Sequence, residues 1–123
     1  MSKIICNLID YVFTETILYD TPDTVVLENG VEWKNLPVKE KPTYSSDIRQ
    51  ADAGPIREES VTVVTKYDAD TFLKAHVAHS VVLRMRTDEK TFYVGSSRFP
   101  CMTEVSGDGI NDTYTFKCTS IIY

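Results

Sequence analysis

The sequence predicts a mainly β fold, a β-sandwich or barrel-like antiparallel meander with one short helix around residues 69–78. Two observations predict it. Asn29-Gly30 stands between two runs of strand-forming residues, and from Ser80 onward short stretches of alternating apolar and polar residues follow one another between polar turns. At 123 residues, with 42% apolar and 25% charged residues, the chain has the size and composition of a single folded domain. Seven Tyr, five Phe and one Trp supply aromatic bulk that a disordered chain lacks.

Taken in order, Lys3 to Tyr19 is rich in Ile, Val, Thr, Tyr and Phe, the composition of strand, with Asp10 as the expected break between two short strands. Thr24-Val25-Val26-Leu27-Glu28 and Val31-Glu32-Trp33-Lys34-Asn35-Leu36 flank Asn29-Gly30 as the arms of a hairpin. An Asn-Gly pair suits a type I′ turn because both central residues there need positive φ. From Pro37 to Glu59 the alternation collapses into Pro, Ser and scattered charge, which predicts an irregular arm or long loop and makes residues 37–59 the first candidate for an interaction element. Ser60 to Lys66 is a β-branched strand. Asp68-Ala69-Asp70 opens the short helix with a side-chain cap, and Phe72, Leu73, His76 and Val77 share its apolar face.

Four strands then follow. Val81, Leu83 and Met85 alternate with Val82, Arg84 and Arg86; Thr87 to Lys90 turns the chain into Thr91-Phe92-Tyr93-Val94; Gly95-Ser96-Ser97 breaks it again; and Pro100 to Val105 leads through Ser106-Gly107-Asp108-Gly109 into Asp112 to Ser120. In the last strand Tyr114, Phe116 and Cys118 fall on one face, so the expectation is a meander with one buried face.

Charge narrows the function classes. Residues 1–60 hold six Lys or Arg and eleven Asp or Glu, residues 61–123 hold seven of each, and the sums of 13 and 18 leave a net charge of −5. Without a basic patch to release counterions from phosphate, sequence-specific nucleic-acid binding is not expected. The apolar opening Ile4-Ile5-Cys6-Asn7-Leu8-Ile9 closes at Asp10, too short for a membrane span. Cys6, Cys101 and Cys118 have no C-x-x-C spacing and read as reduced, buried thiols of a protein made in the cytoplasm.

Chemistry-bearing patterns resolve into ordinary structure. His76 and His79 are spaced to share a metal, but no third ligand stands at a recognisable spacing. Asp68-x-Asp70 and Asp108-x-x-Asn111-Asp112 lack the later Glu of a calcium loop. Gly95-Ser96-Ser97 is not a nucleophile elbow, and neither phosphate-cradling glycine motif occurs. The expectation is a protein with no catalytic, cofactor-binding or metal site.

The stretch Val82-Leu83-Arg84-Met85-Arg86, the turn Thr87-Asp88-Glu89-Lys90, then Phe92-Tyr93-Val94-Gly95, Phe99-Pro100-Cys101 and Tyr114-Thr115-Phe116 form one string, with Ala53-Gly54-Pro55 ahead of it. This string, about residues 53–120, resembles small β-rich proteins among the tail and neck structural genes of phages and prophages of gut Bacteroidetes. The resemblance implies a non-enzymatic virion subunit made in the bacterial cytoplasm, of tail-tube, terminator or head-tail joining type, that forms a homo-oligomeric ring and meets other virion proteins. A ring former needs a rigid scaffold and contacts that reach a neighbour. The candidate interface is Tyr44, Ile48 and Ile56 in the arm, with the apolar Ile121, Ile122 and Tyr123. The alternative is a monomeric β-barrel or sandwich that binds a small ligand among Trp33, Tyr44 and Tyr93.

Overall fold

Strand-forming sequence finds its partners mostly at long range. A computed structural model describes residues 2–21, 24–52, 54–66 and 78–121. Among them are eleven strands: β1 (Ser2–Ile5), β2 (Leu8–Phe13), β3 (Ile17–Thr21), β4 (Thr24–Leu27), β5 (Lys34–Asn35), β6 (Thr43–Ala51), β7 (Gly54–Lys66), β8 (Val81–Arg86), β9 (Thr91–Val94), β10 (Met102–Gly107) and β11 (Asn111–Ile121). A five-stranded sheet runs β1-β6-β7-β11-β10, a four-stranded sheet runs β5-β2-β8-β9, and β3 pairs with β4. All of these pairings are antiparallel. The fold is mainly β and sandwich-like, as the alternation predicts.

One core lies between the sheets. Val61, Val63, Tyr114, Phe116 and Cys118 come from the five-stranded sheet, and Ile9, Tyr11, Phe13, Val81, Leu83, Met85 and Val94 from the four-stranded one. On β11 this is the predicted alternation, with Tyr114, Phe116 and Cys118 buried between the more open Thr113, Thr115 and Lys117. On β8 the expectation of a single buried face needs correction, because Val82 is buried along with Val81 and Leu83. Its partner across the ladder, Val12, is buried too.

Two of the short crossings between the sheets show how they are tied together. Between β1 and β2, the Cys6 amide donates to Pro42 of the five-stranded side and the Asn7 amide to Arg86 of the four-stranded side. Between β9 and β10, Cys101 exchanges both backbone hydrogen bonds with Val81 before the chain enters the other sheet. The four C-terminal strands are therefore two hairpins in different sheets, and not one continuous meander. Gly95 starts that crossing with φ +85, and a Cβ there would meet Cys101 Sγ at 2.9 Å.

Three further expectations are corrected. Asp10 does not break a strand; it lies inside β2, and the break falls at Cys6-Asn7. Asn29-Gly30 does turn the chain, with the Val31 amide bonded to the Glu28 carbonyl, but only Gly30 has positive φ, which fits a type II turn and not type I′. Its flanks do not pair with each other: β4 pairs back with β3, and β5 pairs with Asp10 and Tyr11 of β2. The third correction concerns residues 37–59, which are not an irregular arm. Thr43–Ala51 and Gly54–Thr62 form a hairpin in register from Thr43↔Thr62 to Ala51↔Gly54. β6 conceals its identity because it has no fully buried position, so no apolar alternation marks it, and backbone pairing holds it. The helix expected around 69–78 lies outside the described residues except for Ala78, which is in a turn.

Candidate functional site

The two sheets part at one end of the sandwich, where an open cleft of about 530 Å³ is bounded by Arg57, Glu59, Cys118 and Ser120 on one side and by Tyr93, Gly95, Ser96, Arg98 and Phe99 on the other. Period-two geometry explains the first wall. Glu59 lies opposite Cys118 and two residues before the buried Val61, so it continues the core face of β7 to the point where that face opens.

A carboxylate on a core face needs donors. Tyr44 Oη donates to Glu59 Oε2 at 2.6 Å, and Cys118 Sγ donates to Glu59 Oε1 at 3.5 Å. Burial, and then the bond and charge of Glu59, push the Tyr44 hydroxyl well above its usual range, so it stays a donor. Behind Cys118, the fully buried Cys101 thiol donates to the Val94 carbonyl at 3.5 Å. The neighbouring Cys118 thiol, and then burial, raise it well above the ordinary thiol range. On the cleft's rim, Asp20 accepts from the Ser97 amide at 2.8 Å and the Ser97 hydroxyl at 2.5 Å, which ties β3 to the crossing loop.

A second polar cluster lies on the outer face of the four-stranded sheet. Asp10, 2% exposed, accepts on Oδ2 from Arg84 Nε at 3.0 Å, Arg84 Nη2 at 2.8 Å and Arg86 Nη2 at 2.7 Å, and on Oδ1 from Asn35 Nδ2 at 3.2 Å. Burial works to raise this carboxyl, but the hydrogen bonds of Arg86, Arg84 and Asn35 together outweigh it and hold the carboxyl below its usual value. The Arg84 guanidinium lies 4.9 Å from the centre of the Trp33 ring, and Trp33 packs on Tyr93 at 5.8 Å.

The residues singled out from sequence are scattered. Ile48 is 64% exposed on β6, Ile56 is buried at 8%, and Ile121 ends β11 at 38% exposure, paired with Ile56. Tyr44 faces inward onto Phe92, with ring centres 5.1 Å apart. Ile122 and Tyr123 lie outside the described residues. Of the three aromatics considered for a ligand, Trp33 and Tyr93 meet each other while Tyr44 is engaged with Phe92 and Glu59. His76 lies outside the described residues; His79 stands edge-on to Phe13 with Nδ1 3.7 Å from Glu15. Asp108 Oδ1 accepts from the amides of Ile110 and Asn111 at 2.8 Å each, a turn-capping role. Among the described residues no group of three or more His, Cys, Asp or Glu side chains could hold a metal.

The Glu59, Tyr44, Cys118 and Cys101 network escapes sequence reading because its members are far apart along the chain. Only the register of β6, β7, β11 and β10 brings them to one spot. No protein-family model, curated protein or solved structure matches the chain.

Proposed function

We propose that the chain is a non-enzymatic structural subunit of a phage tail or neck, which assembles with copies of itself into a ring and meets other virion proteins. The observation that supports this reading is the β6–β7 hairpin. β1 covers the outer edge of β6 only from Thr43 to Ser46, and beyond it Asp47–Ala51 has no neighbouring strand on that side among the described residues. Ile48, largely exposed, stands in the middle of that bare segment.

The opposite end of the same sheet is the edge strand β10. A sheet with two different open edges can join head to tail, the heterologous contact from which rings are built. The Cys6 amide donates to the carbonyl of Pro42, so the even-numbered residues of this lane turn their backbone groups outward, Ile48 and Gln50 included.

Ile48→Pro therefore removes an outward amide while leaving the β6–β7 ladder intact. Under this reading the wild-type protein forms a discrete oligomer by mass photometry, and Ile48→Pro leaves a folded monomer. A wild-type protein that is strictly monomeric at tens of micromolar overturns the reading. A second reading, binding of a small ligand, draws on the open cleft beside Tyr93, and native mass spectrometry of the purified protein tests it by the presence of a bound small molecule.

A further inference from the structure

The β10–β11 hairpin sets Cys101 and Cys118 face to face. Its register pairs Gly107 with Asp112 and runs without interruption to Met102↔Lys117, and continuing it by one residue brings Cys101 opposite Cys118. The type of pair follows from the backbone. The Asp108 amide donates to Asn111, which makes odd-numbered residues of β11 the ones bonded to β10 and turns Cys118 toward β7. Cys101 turns its amide and carbonyl to Val81, away from Cys118. Cys101 and Cys118 are therefore placed as a non-hydrogen-bonded pair, a kind in which Cα atoms typically sit about 4.5 Å apart and the side chains are at their closest. Disulfides span Cα separations of about 4.4 to 6.8 Å, a range that includes the spacing typical of such a pair. The two thiols are close enough to perturb each other, and Cys118 is the largest influence raising Cys101.

We propose that Cys101 and Cys118 form a redox-modification site, a dithiol that a hydroperoxide oxidises to a cross-strand disulfide. Cys118 is the entry point because it lines the cleft, whereas Cys101 is fully buried behind it. Cys118 Sγ attacks the terminal peroxide oxygen while its proton passes to Glu59 Oε1, 3.5 Å away; the O–O bond breaks, and the leaving alkoxide is protonated to the alcohol. Cys101 Sγ then attacks the sulfur of the resulting sulfenic acid, the S–O bond breaks, and water leaves. In sum, two thiols and one hydroperoxide give one disulfide, one alcohol and one water. A dithiol reductant reverses the change by thiol–disulfide exchange. The inference rests on the fold and is independent of the assembly reading.

The experiment treats the reduced full-length protein with tert-butyl hydroperoxide, alkylates it in denaturant, and maps the products by intact-mass and peptide mass spectrometry. The expected result is a loss of two hydrogens, a Cys101–Cys118 linked peptide, an alkylated Cys6, and a midpoint of thermal unfolding raised by roughly 5–10 °C. Cys101→Ser should leave Cys118 as a sulfenic acid that dimedone traps, and Cys118→Ser should leave Cys101 unmodified. Three alkylated cysteines after exhaustive oxidation, a disulfide that includes Cys6, or a bond between two chains each overturns the proposal. The wild-type mapping decides the matter even if a serine variant fails to fold.

Discussion

Replacing Asp10 by Asn tests the buried charge cluster in which two arginines converge on one carboxylate. The substitution keeps the volume and the acceptor facing Asn35 but removes the negative charge on which Arg84 and Arg86 converge. Breaking one side of a buried ion pair costs about 3–5 kcal/mol when the partners stay buried. Here the side chains of Arg84 and Arg86 are 26% and 41% exposed, so both can recover water, and the expected loss falls to about 2–3 kcal/mol at neutral pH. The sign of the pH dependence follows from the lowered carboxyl. A depressed folded-state pKa contributes stability above the unfolded value, and that contribution fades as pH falls through the folded value. Urea unfolding at neutral pH and in acid should therefore show a gap between wild type and Asp10→Asn that narrows progressively as pH falls below the ordinary carboxylate range. The chain has one tryptophan, and the Arg84 guanidinium lies over it, so intrinsic fluorescence reports the cluster directly. Equal stabilities at neutral pH, or a gap that does not narrow in acid, would refute the reasoning.

Other outcomes follow from local geometry. Gly30→Ala should cost about 1 kcal/mol in chemical denaturation, because φ +85 is unfavourable for any residue with a Cβ although the space beside it is empty. Gly95→Ala should cost more than that, since the same φ is combined with a contact to Cys101 Sγ at 2.9 Å; pairing it with Cys101→Ala should recover part of the difference. Phe116→Ala should lose about 3–5 kcal/mol, since the ring is fully buried between the sheets, and thermal unfolding reads the loss.

Sequence reading succeeds here where burial is one-sided. β11 shows its buried face as Tyr114, Phe116 and Cys118, and β8 and β9 show their turn as Thr87 to Lys90. It fails where neither face is dry, as on β6, whose Tyr44, Ser45, Ser46 and Asp47 are all half-buried. It also fails where two good strands have a choice of partner. Val25 and Val26 read naturally as one arm of the Asn29-Gly30 turn, yet β3 claims them from upstream, and the downstream arm contributes only Lys34–Asn35 to a sheet. The Arg84–Asp10 contact was hidden because Asp10 looks like punctuation until β2 and β8 are laid side by side.

The cysteine pair is a different case, since half of its geometry is present in the chain itself. Pro100 to Val105 and Asp112 to Ser120 read as strands joined through Ser106-Gly107-Asp108-Gly109, and the register of β10 on β11 centres their turn between Gly109 and Ile110, at equal distances from Cys101 and Cys118. With that centre known, hairpin symmetry pairs them. What the chain does not show is which face they share and whether the pair is of the close, non-hydrogen-bonded kind, because both depend on the crossing at Val81. That crossing is one of the places where the two sheets are joined, so a bond between Cys101 and Cys118 would anchor that junction to the central strands β11 and β7. If the protein assembles through the ends of the five-stranded sheet, β10 is one of those ends. Oxidation would then stiffen an assembling edge, and comparing oligomer formation before and after hydroperoxide treatment measures that coupling.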